Sequence, residues 1–517
     1  MTVLTDRGYF TLINRELHVA RVTRTAAGWS IAAVALTVAF VITLYWFFIT
    51  VGHGEKIPRQ TWFYSLQAEA FLDGQLHLLL TPSQEFLARA RPLNATNTPP
   101  WLYDASFYKG RFYMYWGPVP ALLLAVYKLV TQHTANMGDG RLVLVFTIAR
   151  LVIGAALLLM IQKHLFPRMR SALLLTASLA LFGLSTPYLF TLGRPAVYEA
   201  AIESGQAFLL LGLLAAFASA GAETRRRELS LLFLAGSSWI AAAGCRISLA
   251  PAAIVLVAWT ALIPLRGRAG RWPSRLLAVG SPVALGLGLL AVYNFARFDS
   301  WKEFGLTYQL NPVRLKYSLS FWPANLHAYF VRRVVVSCQF PFIDAPSGAV
   351  ALLPSIAHLK SGYVPLEPVV GLLTAAPVIV FGSVTIASGL RTLQRTRWLR
   401  RALPPDALRV WIVGALLLSV LMPLLPLLGL YTSSMRYLAD FASGALLLAI
   451  CGFWKLSSSP RVQGAWLRAS YAVGVLLAAY TVVFSVLLGF QGGYYRSFKK
   501  LNPALHDKLS AALSCKG

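Results

Sequence analysis

Acidic residues are scarce in this chain of 517 residues: 19 Asp and Glu accompany 47 Lys and Arg, which leaves a formal net charge of +28. Charged residues of both signs make up only 13% of the sequence, whereas soluble domains contain about a quarter. Hydrophobic residues reach 57%, and the mean hydropathy is +0.61. This composition excludes an ordinary soluble enzyme and indicates helices that face lipid.

Several catalytic motifs are also missing. The sequence contains no Gly-rich phosphate loop, no Walker motif, and neither HExxH nor GxSxG, so nothing supports chemistry driven by a soluble nucleotide. The four cysteines show no CxxC or metal-ligand spacing. Cys338 and Cys515 both fall on the outer side of the topology predicted below, where they could form a disulfide, although two lone thiols are the simpler expectation.

Long apolar runs recur along the sequence and predict an all-α, polytopic membrane protein with about eleven membrane-spanning helices. Basic clusters occupy short loops between these runs, as the positive-inside rule requires of cytoplasmic loops, so membrane insertion explains the charge and no nucleic-acid partner is expected. The first run follows a basic N-terminus and is too long for a signal peptide. We therefore predict a bacterial inner-membrane protein with a cytoplasmic N-terminus and a periplasmic C-terminus. The predicted spans lie near 27–50, 141–162, 171–190, 204–222, 229–245, 247–264, 276–295, 366–388, 410–430, 437–454 and 469–490.

Two long segments face the periplasm in this topology, 51–140 and 296–366, within a single membrane domain that covers 1–517. Both are rich in aromatic residues, which favour the membrane–water boundary. The apolar stretch Pro118–Val130 is too short for a span, and counting it as one would place the basic residues of 163–170 outside. We predict that it forms a re-entrant or interfacial helix.

The segment Trp101–Pro120 is the most distinctive in the chain, since Asp104 stands there among aromatic residues. Partial desolvation would raise the pKa of this carboxyl, which suits a general base for an acceptor hydroxyl. A carboxylate in this position could equally bind a divalent cation. The structural alternative is an Asp that caps a turn, with Ser106 and Lys109 as its partners.

Other acids lie at the same predicted face of the membrane. Glu69 and Asp73 are four residues apart on a short helix, and Glu55 lies nearer the first span. Each of these three could be catalytic or simply a solvated loop acid. Glu199 and Glu203 are also four apart. They open an apolar helix close to Arg194, either as a functional cluster or because the helix dipole favours acids there.

Arginines at the outer ends of the predicted spans could hold a phosphate group, which a guanidinium grips with two parallel hydrogen bonds. The candidates are Arg246, Arg297 and Arg436. Contact with ordinary lipid head groups is the alternative. Asp440 follows Arg436 by four residues, so these two side chains could instead form an internal ion pair.

The stretch Tyr113-Met-Tyr-Trp-Gly-Pro-Val-Pro-Ala-Leu-Leu-Leu resembles the Tyr-Pro-Pro-Gly approach to a juxtamembrane helix in the GT-C class of integral-membrane glycosyltransferases. The acid-containing first loop, the short loop with Arg194 and Glu199, and the second large loop resemble that class as well. The similarity is best over about the first 220 residues. It implies transfer of a sugar from a polyprenyl phosphate, at the outer face, to a lipid, glycan or protein acceptor. Some members of the class use a divalent metal, here Mg²⁺ or Mn²⁺.

In that class an acidic residue in the first outer loop acts as the base, often an Asp soon after the first span. The corresponding stretch Lys56–Tyr64 contains no acid. The resemblance therefore assigns the base to Asp104, with Glu55, Glu69 or Asp73 as substitutes, and leaves an inactive transferase open.

These observations give one leading hypothesis and two alternatives. In the leading hypothesis Asp104 is the base of an inverting sugar transfer, one of the three arginines named above holds the lipid phosphate, and Glu199 positions the sugar. Substrate contacts are also expected from Arg194, Glu203, Asp440 and Tyr113. A transporter or flippase for a lipid-linked saccharide would be expected to show internal repeats, and none is found. A non-catalytic partner in envelope assembly remains the third hypothesis.

Overall fold

The computed structural model describes residues 31–58, 61–88, 102, 104–167, 169, 171–262, 271–311, 315–346, 363–364, 367–395, 404–458, 464–492 and 498–515. Residues 1–30, for which we predict a cytoplasmic location, lie outside the described residues, as do parts of both long loops.

Helices dominate the described residues. In chain order they are α1 Ile31–Ile49, α2 Phe63–Leu72, α3 Gln84–Leu87, α4 Val119–Thr131, α5 Asp139–Leu165, α6 Ala172–Leu184, α7 Tyr188–Leu192, α8 Val197–Ala220, α9 Arg225–Cys245, α10 Ala250–Leu262, α11 Trp272–Phe298, α12 Trp322–Leu326, α13 Leu372–Ala375, α14 Gly382–Arg395, α15 Pro404–Leu428, α16 Ala439–Ser457, α17 Gly464–Gln491, α18 Phe498–Leu501 and α19 Pro503–Leu513. The 3₁₀ turns are Ile247–Leu249, Leu306–Tyr308, Leu319–Phe321, Pro377–Phe381 and Met435–Leu438, and His327–Val331 forms a π-turn. Strands β1 Ser106–Tyr108 and β2 Arg111–Tyr113 form an antiparallel hairpin that pairs Ser106 with Tyr113, and β3 Val335–Val336 pairs with β4 Ile343–Asp344.

Eight helices of the described residues are long and apolar enough to cross a membrane. They are α1, α5, α8, α9, α11, α15, α16 with the turn before it, and α17. The protein is therefore an all-α, multi-pass membrane protein, as its composition predicted. The other three predicted spans are shorter or broken. Prolines explain two of these breaks, because Pro187 separates α6 from α7 and Pro377 follows α13.

Helix α4 covers the stretch predicted to be re-entrant or interfacial. Its 13 residues span about 20 Å, less than the roughly 30 Å of a bilayer core. One row of its apolar side chains is exposed, including Leu122, Val126 and Val130. This length and this exposed row suit the predicted position at the membrane boundary.

Burial distinguishes the centre of the bundle from its periphery. Most of α8 and α16 is buried, and Trp239, Trp411 and Trp454 are fully buried in the core. Helix α11 in contrast exposes Leu277, Leu285 and other large apolar side chains. Such a row is stable against hydrocarbon, since the backbone polar groups are satisfied within the helix.

Both long loops lie at one end of the bundle, which we call the loop end. There Asp139, the first residue of α5, accepts a hydrogen bond from Thr61, and Asp299, just after α11, contacts Lys109. Cys338 of the second loop forms a disulfide with Cys515, whose Cα lies 5.3 Å away. The expectation of two lone thiols was wrong, because the sequence does not reveal that the C-terminal helix packs beside this loop.

Candidate functional site

A cavity of about 370 Å³ opens at the loop end, between the segment before α4, the start of α8, the ends of α9, α11 and α15, and the turn before α16. Five tyrosines line it, and three of them, Tyr115, Tyr198 and Tyr437, form the wall nearest Asp104. The close approach of the α4 turn to α9 depends on glycine, because a Cβ on Gly117 would lie 2.0 Å from the carbonyl oxygen of Gly244. Two arginines, Arg246 and Arg297, line the same cavity.

Arg246 is neutralised by a carboxylate from a distant helix. Its Nε atom lies 2.8 Å from the carboxylate of Asp440, which is completely buried. Its guanidinium also lies 5.4 Å from the ring centre of Tyr437. The predicted alternative of an Arg436–Asp440 pair was therefore wrong: Asp440 turns to α9, and Arg436 contacts a different acid.

Arg297 differs from the other candidate arginines, since no carboxylate of the described residues lies within ion-pair distance of it. Its guanidinium donates to the Met114 carbonyl oxygen at 2.5 Å and to Oδ1 of Asn294 at 2.8 Å. It stacks on Tyr293, 3.8 Å from the ring centre. The side chain is buried, and its Nε atom has no hydrogen-bond partner within the part of the chain described. A buried guanidinium in this state favours an anionic ligand.

Asp104 lies against the tyrosine wall of the cavity. Burial raises the pKa of its carboxyl above the ordinary value, although hydrogen bonds from Tyr198 and Asn311 and the nearby Arg436 and Arg194 act in the opposite direction. Gln309 also donates to Oδ1 over 3.4 Å. The alternative of a turn cap was wrong about the partners, because Ser106 donates to the Gly305 carbonyl and Lys109 pairs with Asp299.

A second group of charges, which we call the Arg194 cluster, comprises Arg194, Arg436 and Glu367. The Glu367 carboxylate lies 2.9 Å from Nη2 of Arg436 and 3.5 Å from Nη1 of Arg194, and it accepts a hydrogen bond from the Ser434 hydroxyl. Burial opposes its ionisation, yet the two guanidiniums and this hydroxyl hold the pKa of Glu367 below its usual value. Arg436 stacks on Tyr198 at 4.1 Å, which joins the cluster to Asp104.

Sequence reasoning missed Glu367. It stands between Leu366 and Pro368 at the start of a predicted span, and an acid at the edge of a span is itself a signal of function. That signal was available but was not used.

Glu199 and Glu203 do not act as a pair. Glu203 lies 3.2 Å from Nε of Arg150 inside the bundle, whereas Glu199 is buried near Arg194 and Arg436. One oxygen of Glu199 has no hydrogen-bond partner within the described residues. Only Glu199 is therefore positioned toward the loop-end charges.

The remaining first-loop candidates lie apart from these charges. Glu69 bonds Lys128 at 2.6 Å and so ties α2 to α4. Asp73 and Glu55 are exposed. Tyr113 is buried against Phe298, with ring centres 5.2 Å apart.

The first-loop stretch Lys56–Tyr64, which contains no acid, is contacted by an acid from α5. Asp139 of α5 accepts hydrogen bonds from the Thr61 hydroxyl at 2.6 Å and from the backbone N–H groups of Phe63 and Tyr64 at 3.0 Å each. It thus accepts hydrogen bonds from N–H groups at the start of α2 that have no partner within the helix. Because it is fully buried and saturated, we assign it a structural role.

The surroundings of Asp104 do not fit a divalent cation. No group of three His, Cys, Asp or Glu side chains suited to a metal occurs in the described residues. Asp104 instead faces two guanidiniums and two hydrogen-bond donors, and these positive charges would repel Mg²⁺ or Mn²⁺. No step of the mechanism below uses a metal, and metal dependence stays a prediction for experiment.

Comparison with known proteins gave no matching family model and no matching curated protein. Among solved structures, the chain resembles the oligosaccharyltransferase of Archaeoglobus fulgidus tethered to an acceptor peptide, at 11% identity and a TM-score of 0.46, over 90% of this chain and 56% of that one. It also resembles the oligosaccharyltransferase AglB of A. fulgidus in complex with an inhibitory peptide and a dolichol-phosphate, at 12% identity and a TM-score of 0.44, over 94% and 59%. The chain thus spans little more than half the length of these proteins. Similarity at this level assigns neither a family nor a reaction.

Proposed function

We propose that this chain is a GT-C-type membrane glycosyltransferase that moves a sugar from a polyprenyl-phosphate donor to an envelope lipid, glycan or protein acceptor. The position of Asp104 carries the proposal. Its carboxylate accepts a hydrogen bond from Tyr198, and Tyr198 lines the cavity that also contains Arg297. A proton acceptor and a buried cation without a carboxylate thus adjoin the same cavity.

The reaction that suits these two groups is an inverting displacement. Asp104 accepts the proton of an acceptor hydroxyl while the hydroxyl oxygen forms a bond to the anomeric carbon of the sugar. The bond between that carbon and the phosphate oxygen breaks, and polyprenyl phosphate leaves with one more negative charge. Arg297 stabilises this charge, and the raised pKa of Asp104 strengthens it as a base.

The three candidate arginines are not equivalent in this scheme. Arg246 and Arg436 already contact Asp440 and Glu367, so a phosphate could bind either of them only by displacing a carboxylate. Arg297 has only neutral partners among the described residues, and an anion would replace no charge. We therefore assign the donor phosphate to Arg297, with Glu199 left to bind sugar hydroxyls.

The walls of the cavity support a lipid-linked donor. Apolar side chains line its other sides, among them Ile247, Leu290, Leu315 and Leu427, and α11 exposes further apolar residues along its length. A prenyl chain would bury these surfaces favourably, by about 25 cal/mol for each Å² removed from water.

The disulfide supports a periplasmic site. Disulfides persist in oxidising compartments and are rare in the cytosol. Cys338–Cys515 lies at the loop end, as does the cavity. We propose that this end faces the periplasm, with the basic loops in the cytoplasm.

The proposal is tested by sugar transfer from a panel of polyprenyl-phosphate sugars, with the purified protein in lipid nanodiscs. We expect Asp104→Asn to reduce turnover by roughly 10²–10⁴-fold, the usual contribution of a general base, without loss of folded protein. Asp507→Asn is the matched control, because this acid lies on α19 at the same end with its side chain 72% exposed. The same assay with a chelator and with added Mg²⁺ or Mn²⁺ measures metal dependence.

Turnover that survives Asp104→Asn would move the base to another acid of the first loop. If folded protein binds the lipid but turns over no donor, the transferase proposal is wrong. A role in transport or assembly of a lipid-linked saccharide then replaces it.

A further inference from the structure

The Arg194 cluster contains a buried guanidinium that is only partly hydrogen-bonded. Two guanidiniums share the Glu367 carboxylate. Arg436 is only 8% exposed, yet its Nε and Nη1 atoms have no hydrogen-bond partner in the described part of the chain. Leaving buried charged donors unpaired is unfavourable, so these donors point to a ligand.

The cluster is separate from the cavity assigned to the donor. Tyr198 lines that cavity, and Arg436 stacks on the Tyr198 ring, whereas Arg194, Arg436 and Glu367 are not among the lining residues. Water reaches the cluster directly, because the side chains of Arg194 and Glu367 are each 20% exposed. An anion could therefore enter without passing through the cavity.

We propose that the Arg194 cluster is a binding site for an anionic group, a phosphate or a carboxylate, and that Glu367 occupies the two guanidiniums until this group displaces it. The incoming anion bonds Arg436 and Arg194, and Glu367 keeps only its bond from Ser434. The ligand places its hydroxyl near Asp104, because Tyr198 contacts both Asp104 and Arg436. Calling the ligand the acceptor rests on the proposed function, but its binding does not.

Glu367 acts as an internal competitor in this proposal, so removing its charge strengthens binding of external anions. The test measures the melting temperature of the protein in nanodiscs of neutral lipid, against the concentration of four probes at constant ionic strength. Glycerol 1-phosphate and glucuronate are the anionic probes, and glycerol and glucose are their neutral counterparts. Ligand binding to the folded state raises the melting temperature, which yields a dissociation constant.

We expect Glu367→Gln to tighten binding of an anionic probe roughly ten-fold, as loss of one charged hydrogen-bond competitor implies. Arg436→Gln should abolish this binding. Ser434→Ala removes the hydroxyl that donates to Glu367 without changing any charge. It should therefore change the dissociation constant of the anionic probe by less than Glu367→Gln does. Glu223→Gln, an exposed acid distant in sequence, is the matched control and should bind like the parent.

Binding of the phosphate probe alone, or of glucuronate alone, identifies the anion and supports the proposal. Equal response to charged and neutral probes overturns it, and so does weaker anion binding by Glu367→Gln. Asp104→Asn separates this inference from the transferase: it should reduce sugar transfer without weakening anion binding, because it removes a negative charge near Arg436 and Arg194. If the parent transfers sugar but binds neither anionic probe, the anion site is wrong and the transferase proposal stands.

Discussion

Two groups of arginine and glutamate side chains lie near the start of α8, and their surroundings differ. Arg150 and Glu203, which we call the Arg150 pair, are both 0% exposed. Tyr45 bonds this arginine through its hydroxyl at 3.2 Å, and the guanidinium lies 3.3 Å from the Tyr188 ring centre. In the Arg194 cluster, by contrast, two arginines share one acid that water can reach. The first arrangement is closed to water, and the second is open to it.

This difference indicates two roles for similar side chains. The Arg150 pair joins α1, α5, α7 and α8, where an exchangeable ligand could not enter. A buried charge of this kind costs several kcal/mol unless it is paired, so the pair fixes the packing of these helices. The Arg194 cluster holds charges near water, where a ligand can replace an internal partner. Burial therefore distinguishes two groups that are built from the same residue types.

The largest expected effect on stability comes from removing one charge from each group in turn. Glu203→Gln leaves Arg150 buried without an anion, and we expect a loss of about 3–5 kcal/mol in the free energy of unfolding. Glu367→Gln should cost less, about 1 kcal/mol, because Glu367 and Arg194 are each 20% exposed and water can replace part of the lost interaction. Thermal unfolding of both variants in nanodiscs measures the contrast. Similar losses for the two would contradict the division into closed and open groups.

Arg297 offers the next test, because it is buried like Arg150 but contacts no carboxylate of the described residues. Arg297→Gln should weaken binding of the polyprenyl-phosphate donor by roughly ten- to a hundred-fold, as loss of a charge-assisted hydrogen bond implies. Arg297→Lys keeps the charge but loses the planar fork, and should lie between. The donor dependence of turnover provides the measurement. An unchanged donor KM in Arg297→Gln would remove this residue from the phosphate site.

The sequence reveals local features of this chain but not the contacts between distant segments. Long apolar runs are local, so the helices and the polytopic fold were predictable, and Asp104 became the candidate base because it stands in an unusual segment. The ion pairs were not predictable. Arg246 meets Asp440 across 194 residues, and Asp139 caps α2 from 76 residues away. Sequence spacing of four suggested Arg436–Asp440 and Glu199–Glu203 instead, but packing between helices decided the partners.

A smaller effect is expected from pH, and it concerns Asp104 beside the Arg194 cluster. Burial raises the pKa of Asp104, and a general base acts only when ionised. Turnover should therefore be full above this raised pKa and fall as the pH decreases through it, at a higher pH than for an ordinary Asp. The pH profile of kcat/KM in the free enzyme measures it. A profile with no acidic limb, or one at the ordinary Asp pKa, would contradict a buried base.

The smallest effect on turnover should come from Glu69, although its sequence position made it a candidate base. Its carboxylate, which is 33% exposed, is engaged by Lys128, whose side chain is only 2% exposed, so this pair combines an open acid with a buried base. Glu69→Gln should lower the free energy of unfolding by about 1–3 kcal/mol, because it leaves a buried ammonium without its anion. Turnover per folded molecule should stay within about two-fold, which is roughly 0.4 kcal/mol. A loss as large as that of Asp104→Asn, with the fold intact, would make Glu69 the base and place the chemistry between α2 and α4.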